Sequence, residues 1–158
     1  MENAVTSILN AFDDGTFPVS LPAVDRSASS QVFEDVRTDA PTIPSLFARM
    51  AAVHSDRIAV SCAGQQITYR TLDRRSNALA RQLRGMGVGR DVMVGLCCER
   101  SVDLIVALIA ILKAGGAYAP LDPAYPEERL RFMLDDTACA VIVTTRELAQ
   151  RVPSLAGR

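Results

Sequence analysis

The stretch VMVGLCCERSVDLIVALIAILKAGGAYAPLD, residues 92–122, decides the fold class of this chain. It opens with a run of β-forming residues, continues with a long apolar run, and reaches a second β run after Gly115 and Gly116. Ser101 is a suitable N-cap, and the glycine pair is a suitable helix stop. A strand, a helix and a second strand within 31 residues predict a parallel βαβ unit.

The helix of this unit, over Val102–Leu112, is apolar on every face, which predicts that it is buried. Its uninterrupted apolar part, Leu104–Leu112, is too short to span a bilayer. We therefore predict a core helix and no membrane association.

The same alternation continues on both sides of this unit. It predicts an α/β fold with a mostly parallel sheet flanked by helices and a short N-terminal hairpin. The predicted helices cover residues 43–54, 68–85, 102–112, 127–136 and 146–152, and the predicted strands cover residues 57–62, 65–69, 91–96, 117–121 and 140–144. In the first helix, Leu46, Phe47, Met50 and Val53 form an apolar stripe that we expect to face the core.

Residues 1–42 differ in composition from the rest. Residues 1–40 hold seven acids and two arginines, a net charge of −5, whereas residues 41–158 carry a net charge of +4. Apolar residues at helical spacing predict a short helix over residues 2–12, which either packs on the domain or docks another protein. We therefore divide the chain into an acidic leader (1–42), an α/β module (43–152) and a short tail (153–158).

The overall composition, with 49% hydrophobic residues, 22% charged residues and a net charge of −1, is that of a soluble globular protein. It gives no reason to expect binding to nucleic acid or to an anionic membrane. Arg74, Arg75, Arg81 and Arg84 fall on one predicted helix, and we expect them on its solvated face.

The four cysteines do not form a metal-binding pattern. There is no CxxC pair, and the single histidine, His54, has no cysteine near it in sequence. The N-terminus also lacks the basic and then apolar order of a secretory signal. We predict a protein of the reducing cytoplasm, without a zinc site.

Two glycine-containing segments could suggest nucleotide binding. Gly85-Met-Gly-Val-Gly89 follows a helix and precedes a strand, which is the reverse of a dinucleotide loop, so we interpret it as a helix stop. Leu112-Lys-Ala-Gly-Gly116 lacks the Walker pattern, and Lys113 is expected to neutralise the end of its helix. The residue patterns alone therefore predict no catalytic, cofactor-binding or metal-binding residue.

Two segments carry a family resemblance. Ile67-Thr-Tyr-Arg-Thr-Leu72, followed by Asp73-Arg-Arg-Ser-Asn-Ala-Leu-Ala80, resembles the first core motif of nonribosomal peptide synthetase adenylation domains. The segment Leu112–Pro126, LKAGGAYAPLDPAYP, is similar to the second core motif of that family almost residue for residue. The resemblance extends over residues 43–145 and implies the N-terminal part of such a domain.

At two positions the chain departs from the family pattern. Thr71 stands where the family usually has glutamate, which would complete a capping box with Thr68, so we expect a weaker helix start. Ala119 stands where valine is common, which removes some side-chain volume.

The resemblance implies an enzyme that uses Mg-ATP to activate an amino acid or an aryl acid as an acyl-adenylate. The acyl group then passes to the thiol of a carrier protein. The family's phosphate loop, T-S-G-[ST]-T-G-x-P-K-G, has no match in residues 1–158. We therefore expect a fragment that is inactive alone and binds no cofactor itself.

Three interpretations remain open from the sequence. The chain is the first part of an adenylation domain, whose remainder or another synthetase protein is its partner. Alternatively, it is a non-catalytic interaction or complementing partner of a synthetase, or a small ligand-binding α/β module. In the first case we also expect self-association through exposed apolar surface.

Overall fold

The computed structural model describes residues 6–8, 41–139 and 141–151. In chain order, the elements are β1 (Thr6–Ile8), α1 (Ile43–Val53), β2 (Ile58–Cys62), β3 (Gln65–Thr68), α2 (Tyr69–Gly85), β4 (Met93–Cys97), α3 (Val102–Ala114), β5 (Ala117–Pro120), α4 (Glu127–Asp136), β6 (Val141–Thr144) and α5 (Arg146–Arg151). Among these residues, no helix is long and apolar enough to cross a membrane.

The main sheet has the order β1-β6-β4-β5, and its three strand pairs are all parallel. β2 and β3 form a separate antiparallel hairpin. The predicted α/β class, the parallel sheet and the hairpin are therefore confirmed.

Helices cover both faces of this sheet. Because successive strand residues point to opposite faces, β4 and β6 each contribute side chains to two cores. Val94, Leu96, Val141 and Val143 pack with α2 and α3 on one face. On the other face, Cys97 and Ile142 pack with α4 and α5. A third cluster joins α1, the hairpin, α2 and α3 away from the sheet.

The predicted helix over residues 2–12 is wrong where the structure describes it. Thr6–Ile8 forms β1 and pairs with Val141–Val143 of β6. β-branched Thr6 and Ile8 favour an extended backbone, and the edge of β6 offers hydrogen-bonding groups that a helix would leave unpaired. The rest of that segment, most of the leader and the tail 153–158 lie outside the described residues.

The expected core stripe of α1 is also wrong in part. Phe47 is half-buried against the third cluster, but Leu46, Met50 and Val53 are exposed. A helical pattern locates an apolar face without saying whether another element lies against it. Here Ala51 is the only buried residue of α1.

The start of α2 is held in two ways. Thr68 accepts a hydrogen bond from the amide of Thr71 at 3.2 Å, as expected for an N-cap. The carbonyls of Arg57 and Ser55 accept the amides of Tyr69 and Arg70. These two bonds satisfy free amides of the first turn.

α3 is the central helix, as the sequence predicts, although its burial is uneven. No residue of Val102–Leu112 is exposed, and Val102, Val106 and Ile111 are fully buried. Leu104 and Leu108, in contrast, are half-buried on the side that leads to the carboxyl ends of β4 and β5.

Candidate functional site

The two motifs of the sequence meet at one lysine side chain. Lys113 Nζ, near the end of α3, donates to Asp73 Oδ1 at 2.7 Å, Asn77 Oδ1 at 2.8 Å and Ser76 Oγ at 2.9 Å. All three acceptors lie on α2. The ammonium also lies 4.9 Å from the ring centroid of Phe47 on α1, within the range of a cation–π interaction.

Lys113 therefore does not act mainly at the end of its own helix, which corrects the expectation from sequence. Its side chain is 8% exposed, and it is the only lysine among 17 basic residues. Its three donors match three acceptors on α2, from Asp73, Ser76 and Asn77, which we call the cage of Lys113. This is the arrangement that a buried ammonium requires. The last turn of α3 is contacted instead by Arg84, which donates to the carbonyl of Lys113.

The glycine pair after Lys113 has two different roles. Gly115 has φ 93°, a left-handed conformation that ends α3. Gly116 lies where a Cβ atom would be 2.7 Å from Val88 Cγ1 and 3.1 Å from the carbonyl oxygen of Val92. Gly115 is needed for the left-handed backbone conformation that ends α3. Gly116 is needed because the chain passes close to Val88 and Val92.

The segment Gly85–Gly89 is a helix stop, as predicted. Gly87 has φ 87°, and its amide and that of Val88 donate to the carbonyls of Arg84 and Leu83. This is the Schellman pattern of helix termination. The amides of Gly87 and Val88 are therefore used in ending α2.

One expectation for the arginines of α2 needs correction. Arg74, Arg81 and Arg84 are exposed, as predicted. Arg75 is instead half-buried, and its guanidinium lies 2.5 Å from Asp103 Oδ1 at the start of α3. Because α3 packs against α2, this pair and the Lys113 contacts tie the same two helices together at opposite ends of α3.

A crevice opens at the carboxyl ends of β4 and β5. The chain leaves β4 for α3 on one face of the sheet and leaves β5 for α4 on the other. Adjacent strands whose connections diverge in this way form the usual ligand crevice of parallel α/β proteins. Sequence reasoning missed it, because it depends on the order of the strands in the sheet.

The crevice has a volume of about 720 Å³ and a mostly apolar lining. Leu104 and Leu108 line its α3 side, and Tyr118 and Pro120 line its β5 side. On the α4 side, Arg129 lies 4.3 Å from the ring centroid of Tyr125. The remaining polar groups are Glu99, Arg100 and Asp122, so that charges of both signs stand at its margin.

The two adjacent thiols at the end of β4 are buried. Burial raises the pKa of Cys97 to about 11 and that of Cys98 to about 12. Cys98 Sγ also lies 3.8 Å from the carbonyl oxygen of Val143, to which it donates. Thiolate is the nucleophilic form, and neither residue supplies it near neutral pH. Within the described ranges, no three His, Cys, Asp or Glu side chains gather as metal ligands.

The chain also matches the model of a known family. The model of the AMP-binding enzyme family matches residues 47–158 of this chain. The chain therefore belongs to the AMP-binding enzyme family.

Two synthases are similar to this chain. The chain is 47% identical over 122 residues to bacitracin synthase 3 of Bacillus licheniformis, covering 75% of this chain and 2% of that protein. It is 42% identical over 114 residues to tyrocidine synthase 3 of Brevibacillus parabrevis, covering 72% of this chain and 2% of that protein. It thus spans a small fraction of the length of these relatives.

The fold of this chain is also similar to part of a solved synthetase structure. The crystal structure of the nonribosomal peptide synthetase FmoA3, bound to alpha-methyl-L-serine-AMP, superposes with a TM-score of 0.67 at 30% identity. The match covers 69% of this chain and 12% of that chain. Together, these matches identify the chain as the N-terminal part of a nonribosomal peptide synthetase adenylation domain.

Proposed function

We propose that this chain supplies the N-terminal scaffold of a domain that activates an amino acid or an aryl acid with Mg-ATP. The acyl carboxylate attacks the α-phosphorus of ATP, which releases pyrophosphate and forms the acyl-adenylate. A carrier-protein thiol then attacks the acyl carbon and releases AMP. The observation that carries the proposal is the pair of core motifs, joined in the structure by Lys113 and Asp73.

In this proposal the described residues position the domain and do not perform its chemistry. The groups that the two motifs provide are used within the scaffold: Lys113 in its cage, Gly115 as a helix stop and Gly116 in close packing. We therefore assign no ATP contact to any of them. The 158-residue chain is proposed to be inactive alone, in the cytoplasm, with the remaining parts of an adenylation domain and a carrier protein as its partners.

Amino-acid-dependent ATP–pyrophosphate exchange tests the proposal in two forms. The 158-residue chain alone is expected to give no exchange, and exchange would contradict its inactivity. A chimera in which residues 43–152 replace the matching part of bacitracin synthase 3 is expected to keep the exchange activity and the substrate of that relative. A folded chimera without activity, with the fold checked by circular dichroism, would contradict the scaffold role.

The crevice favours a second candidate, a small ligand-binding module. A concave, mostly apolar site with a few polar groups is typical of ligand pockets. Isothermal titration of the chain with ATP and with an aminoacyl-adenylate analogue tests this candidate. Heat of binding that is lost on Tyr118→Ala would support it, and the absence of heat would contradict it.

A further inference from the structure

The exposed face of α1 is a continuous apolar stripe formed by Ile43, Leu46, Met50 and Val53. Ile43 and Val53 are 62% and 74% exposed, and Leu46 and Met50 are each 44% exposed. At 100° per residue, the four side chains fall within about 80° of the helix circumference. A stripe of large apolar side chains on one helix face typically marks an interaction surface.

The rest of α1 is already packed. Ala51 is buried, and Phe47 packs against the third cluster and lies 6.1 Å from the ring of Tyr69. These side chains fix the orientation of α1 on α2 and α3. The stripe lies beside this contact face, where none of the described residues covers it.

We propose that the leader residues 9–40 of this same chain cover the stripe. Both ends of this 32-residue segment are attached to the described fold, at β1 on one side and three residues before Ile43 on the other. A tethered segment has a much higher effective concentration at the stripe than any free partner.

The chemistry of the segment matches the surface. Residues 9–40 hold three of the five phenylalanines, Phe12, Phe17 and Phe33, together with several valines and leucines. They also hold six acids and two arginines. The only charged residue of α1 is Arg49, and Arg57 follows the helix; both are exposed. Apolar side chains on the stripe and acids beside these arginines give the segment complementary partners.

The chain is also long enough for this contact. α1 has 11 residues and is about 16 Å long at 1.5 Å per residue. Val32, Phe33 and Val36 precede Ile43 by seven to eleven positions. Even seven extended residues reach about 23–25 Å, so this apolar group can contact any part of the stripe.

Photocrosslinking in the full chain tests the proposal. A benzophenone amino acid replaces Met50, and crosslinked peptides are identified by mass spectrometry after proteolysis. We expect the probe to capture peptides from residues 9–40 of the same chain. A mixture of isotope-labelled and unlabelled chains separates capture within one chain from capture between two. A matched probe at Phe132, which is 67% exposed on α4, is expected not to capture the leader.

A second measurement uses Phe33→Asp together with hydrogen exchange. Loss of an apolar contact is expected to speed amide exchange in residues 43–53 and to leave residues 69–85 unchanged. Probe capture of another surface, capture between two chains, or absence of capture from the leader would overturn the proposal. Unchanged exchange in α1 of the variant would overturn it as well.

Discussion

Lys113 Nζ lies 2.7 Å from Asp73 Oδ1, and this contact joins the two core motifs across 40 residues of sequence. Asp73 lies in the second part of the first motif, near the start of α2, and Lys113 lies within the second motif near the end of α3. Ser76 and Asn77 complete the set of side-chain acceptors around the ammonium. The resemblance that identifies the family is thus also one physical contact in the fold.

Lys113→Met is expected to destabilise the chain by about 2–3 kcal/mol, because it removes the hydrogen bonds of a buried ammonium and leaves the half-buried carboxylate of Asp73 without its counter-charge. Lys113→Arg keeps the charge but is also expected to destabilise, since a planar guanidinium does not match three acceptors arranged around one atom. Urea unfolding followed by circular dichroism measures both variants. Equal midpoints for wild type and Lys113→Met would show that the cage does not stabilise the fold.

The burial of Lys113 in this cage also predicts how the wild-type chain reacts with an amine-specific label. Lys113 is the only lysine, and its side chain is 8% exposed. An amine-reactive ester is therefore expected to modify the α-amino group of the folded chain and to reach Lys113 only after addition of denaturant. Peptide mapping distinguishes the two sites, and rapid labelling of Lys113 in buffer would contradict the cage.

Gly116→Ala is expected to destabilise the chain by about 1–3 kcal/mol, because overpacking forces neighbouring atoms to move. The new methyl group would lie 2.7 Å from Val88 Cγ1. Gly89→Ala is a matched control, since a Cβ atom there meets nothing within 4 Å. The control is expected to stay within about 0.5 kcal/mol of wild type in urea unfolding. Similar midpoints for the two variants would count against the role of Gly116.

Thiol reactivity should distinguish one cysteine from the other three. Cys97, Cys98 and Cys139 are buried, and burial raises the pKa of each of these thiols. Cys62 is half-exposed. Ellman's reagent at pH 8 is expected to titrate one thiol rapidly in the folded chain and all four in denaturant. Rapid reaction of Cys97 or Cys98 under native conditions would contradict their burial.

The raised pKa values of Cys97 and Cys98 predict that the folded chain loses stability at alkaline pH. The pKa is about 11 for Cys97 and about 12 for Cys98 in the folded chain, against 9.0 for an unperturbed thiol. Below pH 9 both states hold the proton, and stability is unaffected. Above pH 9 these two thiols lose their protons in the unfolded chain but keep them in the folded chain. Each such thiol therefore lowers the free energy of unfolding by about 1.4 kcal/mol per pH unit, until the folded thiol ionises as well.

Urea unfolding between pH 8 and pH 11 measures this slope. Cys98→Ala, which removes one of the buried thiols with a raised pKa, is expected to reduce the slope above pH 9. An unchanged slope in this variant would show that the thiol of Cys98 does not cause the loss.

Several elements can be predicted closely because their signals are local. The sequence predicts α4 at 127–136, and the helix occurs at Glu127–Asp136. It also predicts Ser101 and Thr68 as N-caps, and both accept the amide three residues later. A cap or a glycine stop acts within one turn of a helix, so that the residue type and its spacing are sufficient to place it.

The errors share a different origin. Thr6–Ile8 has apolar neighbours at helical spacing but pairs with β6, about 135 residues away. Leu46, Met50 and Val53 of α1 follow a clear helical period but are exposed. Arg75 belongs to a basic helix face but pairs with Asp103. In each case the structure at the residue depends on which distant segment packs or pairs with it. A local sequence pattern carries no information about that segment.

By itself, the sequence determined the order and type of nearly all the described elements, the helix ends and the family, because these follow from periodicity, capping and motif spacing. The tertiary structure alone decided that Lys113 is caged by α2, that Gly116 must lack a side chain because of Val88, and that a crevice opens between β4 and β5. These three features require segments distant in the chain to meet. Their contacts are set by the packing of helices on a sheet and not by neighbouring residues.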